Sequence, residues 1–254
     1  MNSNPQHYFA RTVVVVGAGR LGRAIARAFA TAGIDVTGPL GRGEIAIADI
    51  VLLCVPDAEI APAAAAARAR GGSRVLIGHT SGATPLEGLD VDFGLHPLQS
   101  FTGDEGSEAF AGIGCAIAGR TADAREAALA LATSLGAHPF DIADEQRAAY
   151  HAAASIASNY VVTLLDAAEQ LGAAAGLSAQ DARARLAPLV RSTIENWQRQ
   201  GPEIALTGPV ARGDEVTVGR QRAAVASGAP DLLPVFDVLR TATRALATRG
   251  QDAR

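Results

Sequence analysis

Between Thr12 and Ile142 the chain alternates short apolar runs with longer stretches whose apolar residues recur at helical spacing. Residues 12–16 (TVVVV) form a β-branched run closed by Gly17. Residues 20–32 place Leu21, Ala24, Ile25, Ala28 and Phe29 on one face, which predicts a helix. Further strands are expected at 34–37, 49–55, 74–78, 93–95, 115–118 and 138–142, with helices at 58–70 and 122–135. Continuous apolar strands separated by helices predict an α/β fold, a doubly wound and mainly parallel sheet covered on both faces.

Beyond Asp144 the pattern changes and no strand-like run follows. Residues 144–171 predict one long helix. Ser178 is a plausible N-cap for a helix over 179–198, which Pro188 would kink. Residues 201–213 form a loop with Gly and Pro, Asp214 caps a helix to about Ala226, and 231–248 form the last helix before a frayed tail, 249–254. The expected organisation is an α/β domain over 1–143 followed by an all-helical domain over 144–254.

Composition narrows the function. With 254 residues, 48% hydrophobic and 19% charged, the chain can bury a core, which excludes a wholly disordered chain, a collagen or a coiled coil. A formal net charge of -4 lacks the basic excess of a nucleic-acid binder, so no nucleic acid partner is expected. No apolar run reaches the ~18 residues that span a bilayer, and 1–12 lack the apolar core of a signal peptide. The expectation is a cytoplasmic protein without a membrane partner. Cys54 and Cys115, the two cysteines, sit in apolar runs and read as buried thiols of a reducing compartment, and no metal site is expected. All 22 basic residues are arginine, so no lysine can form a Schiff base or act as an acid. Proton transfer near neutral pH must fall to His, Asp, Glu, Tyr or Cys.

Gly17-Ala18-Gly19-Arg20-Leu21-Gly22 is G-x-G-x-x-G, placed after a strand and at the start of a helix. That context marks a dinucleotide site. Gly17 permits the tight turn, Gly19 lets a pyrophosphate approach, and Gly22 lets the helix pack on the sheet. The helix start, with Arg20 and Leu21, offers free N–H groups to phosphate. No acid stands at the end of the second strand to bind a ribose hydroxyl, and Arg42 follows in the loop. An arginine suits a 2′-phosphate, which favours NADP over NAD, although Glu44 lies close by and Arg42 also reads as a solvated loop charge. Val55 at the end of the third strand, Pro56 after it, and Thr80 and Ser81 after the fourth complete the expected cofactor site.

Ligands of such sheets sit outside the carboxyl ends of the strands. His96, followed by Pro97 and Gln99, falls there and could polarise a carbonyl or hydroxyl, or simply satisfy loop carbonyls. Gln99 is a candidate substrate contact. His151, Ser155 and Asn159 follow at i, i+4 and i+8 on the expected long helix and would share a face. Such a polar stripe needs a ligand, water or a packed partner, a dimer seam included. His151 suits a proton donor and Asn159 a substrate or imidazole contact. In the loop 206–214, Thr207 and Gly208 allow close approach of an anion, and Arg212 could clamp a carboxylate or pair with Asp214.

The segments GAGRLG, CVPD, HTSG, HPLQSF, YHAAASIASNY and LTGPVARGD together resemble Rossmann-like proteins with a DUF2520 C-terminal domain, over nearly the whole chain. That family is similar to the 6-phosphogluconate-dehydrogenase-like superfamily, which includes ketopantoate reductases and pyrroline-5-carboxylate reductases. The resemblance implies a Rossmann domain followed by a helical domain that often dimerises, hence a homodimer, with the active site in the cleft between. It also implies that His151 stands where ketopantoate reductases carry a catalytic lysine, with Ser155 and Asn159 orienting substrate. His96-Pro97 is similar to the His-Pro segment of prephenate dehydrogenases. The leading expectation is NADP-dependent hydride transfer to a small 2-oxo acid, with ketopantoate as the sharpest version. A non-catalytic dinucleotide sensor or interaction protein and a reductase of a cyclic imine are the alternatives.

Overall fold

The computed structural model describes residues 11–41, 43–44, 46 and 48–252. The chain divides into two compact units, Met1–Ser158 and Asn159–Arg254.

The first unit is built on seven strands: β1 (Val13–Val16), β2 (Val36–Leu40), β3 (Ile50–Leu53), β4 (Leu76–His79), β5 (Phe93–Pro97), β6 (Gly114–Gly119) and β7 (His138–Asp141). Their order in the sheet is β2-β1-β3-β4-β5-β6-β7. Pairing is parallel from β2 through β5, antiparallel between β5 and β6, and parallel again between β6 and β7. The strand order reverses between β1 and β3, so the crevice expected of a doubly wound sheet opens at their carboxyl ends.

The apolar strands divide their side chains between two cores. Val13 and Val15 of β1 and Phe93 and Leu95 of β5 pack with α1 (Arg20–Thr31) and α3 (Ala122–Ser134) on one face. Val14 of β1, Val51 and Leu53 of β3 and Ile77 of β4 pack with α2 (Asp57–Gly71) on the other. Apolar surface taken out of water in this way stabilises the fold by about 25 cal/mol per Å². With helices on both faces, both sets of alternating positions are apolar, which is why the runs read as continuous.

The long helix expected over 144–171 is interrupted. A short turn at Asp144–Gln146 leads to α4 (Arg147–Ala157), and α5 (Asn159–Ala174) begins one residue after α4 ends. Ser158 between them has φ -120 and ψ -76, outside the helical region. Its hydroxyl lies 3.0 Å from that of Ser100. The local sequence is rich in Ala and holds no breaker, so the interruption comes with a contact 58 positions away. The two units meet in sequence at this same point, beyond the 143/144 boundary expected from the end of the strands, because α4 packs with the sheet.

The second unit is helical: α5, α6 (Ala179–Gln200), α7 (Pro202–Ala205), α8 (Glu215–Gly228) and α9 (Leu233–Asp252). Ser178 caps α6 by accepting from Asp181 N at 3.1 Å, and Asp214 caps α8 by accepting from Thr217 N at 3.0 Å, as the sequence indicated. The expected loop over 201–213 contains the short α7, which starts at Pro202, a position proline favours. Arg222 and Asp237 join α8 to α9 through a two-pronged ion pair.

Candidate active site

The glycine loop is shaped by its packing. A side chain at Gly17, where φ is +110, would collide with the carbonyl of Cys54, just after the neighbouring β3. One at Gly22 would collide with the carbonyl of Gly17. Gly19 is different, because nothing lies within 4 Å of where its side chain would stand. Packing does not demand glycine there, whereas close approach of a ligand does.

The end of α1 beside it is equally open. Gly19 is the N-cap and supplies no side-chain cap, and the first turn carries no acid. The first intrahelical bond is donated by Arg23 N to Gly19 O, at 3.1 Å. The N–H groups of Arg20, Leu21 and Gly22 therefore precede the helix ladder and are aligned with its dipole. A cleft of about 400 Å³ is lined by Gly17 and Gly19 on one side and by Val55 and Pro56 after β3 on the other. Its position is the switch point between β1 and β3. Glu44 and Glu59 also line it. These features fit a dinucleotide. Arg42 lies outside the described residues.

Thr80 and Ser81 turn inward. The Thr80 hydroxyl donates to Leu53 O at 3.3 Å. Ser81 Oγ accepts from Ala83 N and Thr84 N, closing a hydroxyl turn. Both shape the loop after β4 instead of presenting free hydroxyls. His79 is fully buried, and its Nδ1 accepts from Ser81 N at 3.1 Å, so its proton sits on Nε2. Burial first, then the Arg147 charge, pulls its pKa down to about 4.

His96, next to last in β5, faces α4. Its Nδ1 lies 2.7 Å from the Tyr150 hydroxyl. The rings of His96 and His151 are 6.2 Å apart, at 72°. A methyl group on Gly82 would lie 2.9 Å from His96 Nε2 and 3.0 Å from His151 Nδ1. The two imidazoles thus converge on the space that Gly82 leaves open. Burial, helped by the charges of His151 and Arg147, lowers the pKa of His96 to about 4. It is neutral at pH 7. Tyr150 is pushed up to about 12 by its burial and keeps its proton.

Arg147 anchors this arrangement. It is buried, donates to Asp144 Oδ1 at 2.9 Å and to Ser81 O at 3.3 Å, and lies over Gly94 of β5, where any side chain would strike it. Asp144 also accepts from Leu86 N and Glu87 N. Sequence reading missed both Tyr150 and Arg147. A Tyr next to an expected catalytic His was the available signal for the first; a lone Arg at a helix start reads as a solvated charge and gave none for the second.

The remaining candidates fall in three places. Ser155 shares the face of α4 with His151, four residues on. Gln99 is exposed and folds back to accept from Ser100 N at 2.9 Å. Asn159, Thr207, Gly208 and Arg212 belong to the second unit. Asn159 opens α5, so the single helical stripe expected for His151, Ser155 and Asn159 ends at the Ser158 break. Arg212 is exposed, and Asp214 is engaged by both groups of Thr217. Cys54 and Cys115 are pushed up to about 12 by burial and are no nucleophiles at neutral pH.

Residues 113–243 match a family described as a domain of unknown function, DUF2520. No curated protein matches the chain. Among solved structures, a Bacteroides fragilis protein provisionally assigned as an NADP oxidoreductase superposes with a TM-score of 0.79 at 21% identity, over 94% of this chain and 99% of that one. The Thermotoga maritima protein TM1727 gives 0.76 at 22% identity, over 94% and 99%. A reductive aminase from Aspergillus terreus, solved with NADPH and ethyl-5-oxohexanoate, gives 0.65 at 16% identity, over 96% and 99%. These likenesses establish the fold, a Rossmann α/β unit followed by helices.

Proposed function

The chain belongs to the DUF2520 family, and from that premise we propose that it is an NADP-dependent reductase of a small carbonyl compound. The observation that carries the reading is the convergence of His96 and His151 over Gly82. They stand at the same carboxyl edge of the sheet as a glycine loop open at Gly19. The cofactor, when bound, supplies the hydride. The N–H groups of Arg20, Leu21 and Gly22 would hold its pyrophosphate, and Val55 and Pro56 would line its cleft. His96, neutral, donates a hydrogen bond to the carbonyl oxygen. His151, exposed on the other side of that space, would give a proton to the same oxygen.

The substrate class is a small 2-oxo acid, with ketopantoate, reduced to pantoate, as the sharpest version. Support for the choice comes from the family resemblance and from the neutral hydrogen-bond donor at His96. NADP over NAD is supported by Arg42 and by the NADPH in the Aspergillus terreus aminase. A cytoplasmic location goes with the two free thiols.

A homodimer through the helical unit belongs to the same reading. Tyr160, Val162, Leu189, Ile194, Trp197 and Val238 of that unit are all at least half exposed. A groove of about 660 Å³ between α5 and α6 has an apolar floor with Asp166, Glu169, Arg183 and Arg191 around it. A surface bearing both signs of charge can complement itself across a twofold axis.

The test is loss of reduced-nicotinamide absorbance with purified protein, NADPH or NADH, and a panel of 2-oxo acids and cyclic imines. Turnover of a 2-oxo acid with NADPH preferred is expected. Turnover of imines alone would replace the substrate class, and tight NADPH binding with no turnover of any compound would favour the sensor reading.

A further inference from the structure

We propose that Tyr150 is a positioning residue that fixes His96 in the tautomer with its proton on Nε2, directed at the open space over Gly82. The inference rests on the reading of His96 as the hydrogen-bond donor to the substrate oxygen, and it supplies what that reading lacks. A neutral imidazole has one N–H and two places for it. Only the Nε2–H form can donate toward Gly82, because Nδ1 is occupied by Tyr150 at 2.7 Å.

The direction of the Tyr150 bond settles which form is present. A phenol is a stronger acid than a neutral imidazole N–H, and an imidazole nitrogen is a stronger base than a phenol oxygen. The bond therefore runs from Tyr150 O–H to His96 Nδ1, which leaves the proton on Nε2. The opposite arrangement would make Nε2 a bare acceptor facing an electron-rich carbonyl oxygen.

The surroundings hold the pair in place. Tyr150 is set against His96 edge to face at 5.6 Å and against Phe140 of β7 at 6.0 Å. Arg147, one turn earlier on α4, is locked by Asp144 and Ser81 O, so the helix cannot slide along β5. The charged and titratable groups acting on His96 are His151 and Arg147 of α4 and Asp57 of α2. Arg147 and His151 both oppose a second proton on the ring, which keeps it a neutral donor with one defined N–H.

The experiment is nitrogen-15 NMR of histidine-labelled protein without cofactor or substrate, with His96 identified by its loss in His96→Gln. In the wild type a pyrrole-type ε2 nitrogen and a pyridine-type δ1 nitrogen are expected. In Tyr150→Phe, which keeps the ring and its contacts, the two forms should mix, and kcat should fall about tenfold with KM for NADPH unchanged. A proton on Nδ1 in the wild type would overturn the proposal even if the variant failed to fold. An unchanged His96 spectrum in Tyr150→Phe would overturn it too. A mixed tautomer with full turnover would uphold the Tyr150 assignment and overturn the role given to His96.

Discussion

Gly82 shows how much one missing side chain can decide. Its two neighbours, His96 Nε2 and His151 Nδ1, would both be within 3.0 Å of an added methyl group. Gly82→Ala is therefore expected to lower kcat at least a hundredfold while leaving the NADPH dissociation constant within about twofold, read by turnover and calorimetry. A variant with normal turnover would mean that the reacting atoms sit elsewhere. The buried histidines also tie stability to pH. His79 and His96 protonate near pH 4 in the folded protein and near 6.5 when unfolded. Between these values the unfolded chain binds more protons, so stability falls as pH drops through the window and is level above it. Each histidine contributes a slope of up to about 1.4 kcal/mol per pH unit. Denaturant midpoints at pH 5 and pH 7.5 should show the difference, and His79→Gln should reduce it. At this scale the sequence showed which side chains carry chemistry, from type and position. It did not show which hydroxyls are free. Thr80 and Ser81 read as donors to a ligand, yet their partners are Leu53 O and the next backbone turn.

Among the elements, α4 is the least legible and the most consequential. Its Ala-rich run has good helix propensity up to Ser158, and no Gly or Pro marks the break. At the break Ser158 meets Ser100, and pairings over such separations leave no periodic trace. Arg147 makes the same point, since a buried charge is visible only once Asp144 and Ser81 O are seen around it. Removing one member of such a pair leaves the other uncompensated. Arg147→Met should cost about 3 kcal/mol in urea unfolding. Adding Asp144→Asn should recover part of that loss, a coupling that independent sites would not show. By contrast β1, α1 and the loop between them were legible to within a residue or two. Glycine spacing, a β-branched run and a 3.6-residue period there all point to one arrangement.

For the whole molecule the division into an α/β unit and a helical unit was legible in the loss of strand-like runs after Asp144. The break itself comes later, at Ser158, because α4 belongs with the sheet although its sequence reads as the first helix of the helical unit. No helix among the described residues is long and apolar enough to cross a membrane. The exposed apolar residues of the second unit bear on assembly. Light scattering coupled to gel filtration should give a dimer. Leu189→Glu with Trp197→Glu on α6 should give a folded monomer, since both side chains are more than half exposed. A monomeric wild type would overturn the homodimer.

The reversal at β6 decides at which edge of the sheet the chain is released. Strands β1 to β5 all run toward the edge that carries the glycine loop and His96. Because β6 runs the other way, and β7 with it, the chain leaves the sheet at the far edge, where Asp144 takes the N–H groups of Leu86 and Glu87. One helix, travelling alongside β5 from Arg147 over Gly94 to Tyr150 beside His96, is then enough to bring His151 back. Had β6 kept the direction of its neighbours, β7 would have released the chain at the reactive edge, and a helix starting there would carry its side chains away. The chain reverses an even number of times between β5 and α4, and an odd number would have undone what these deliver.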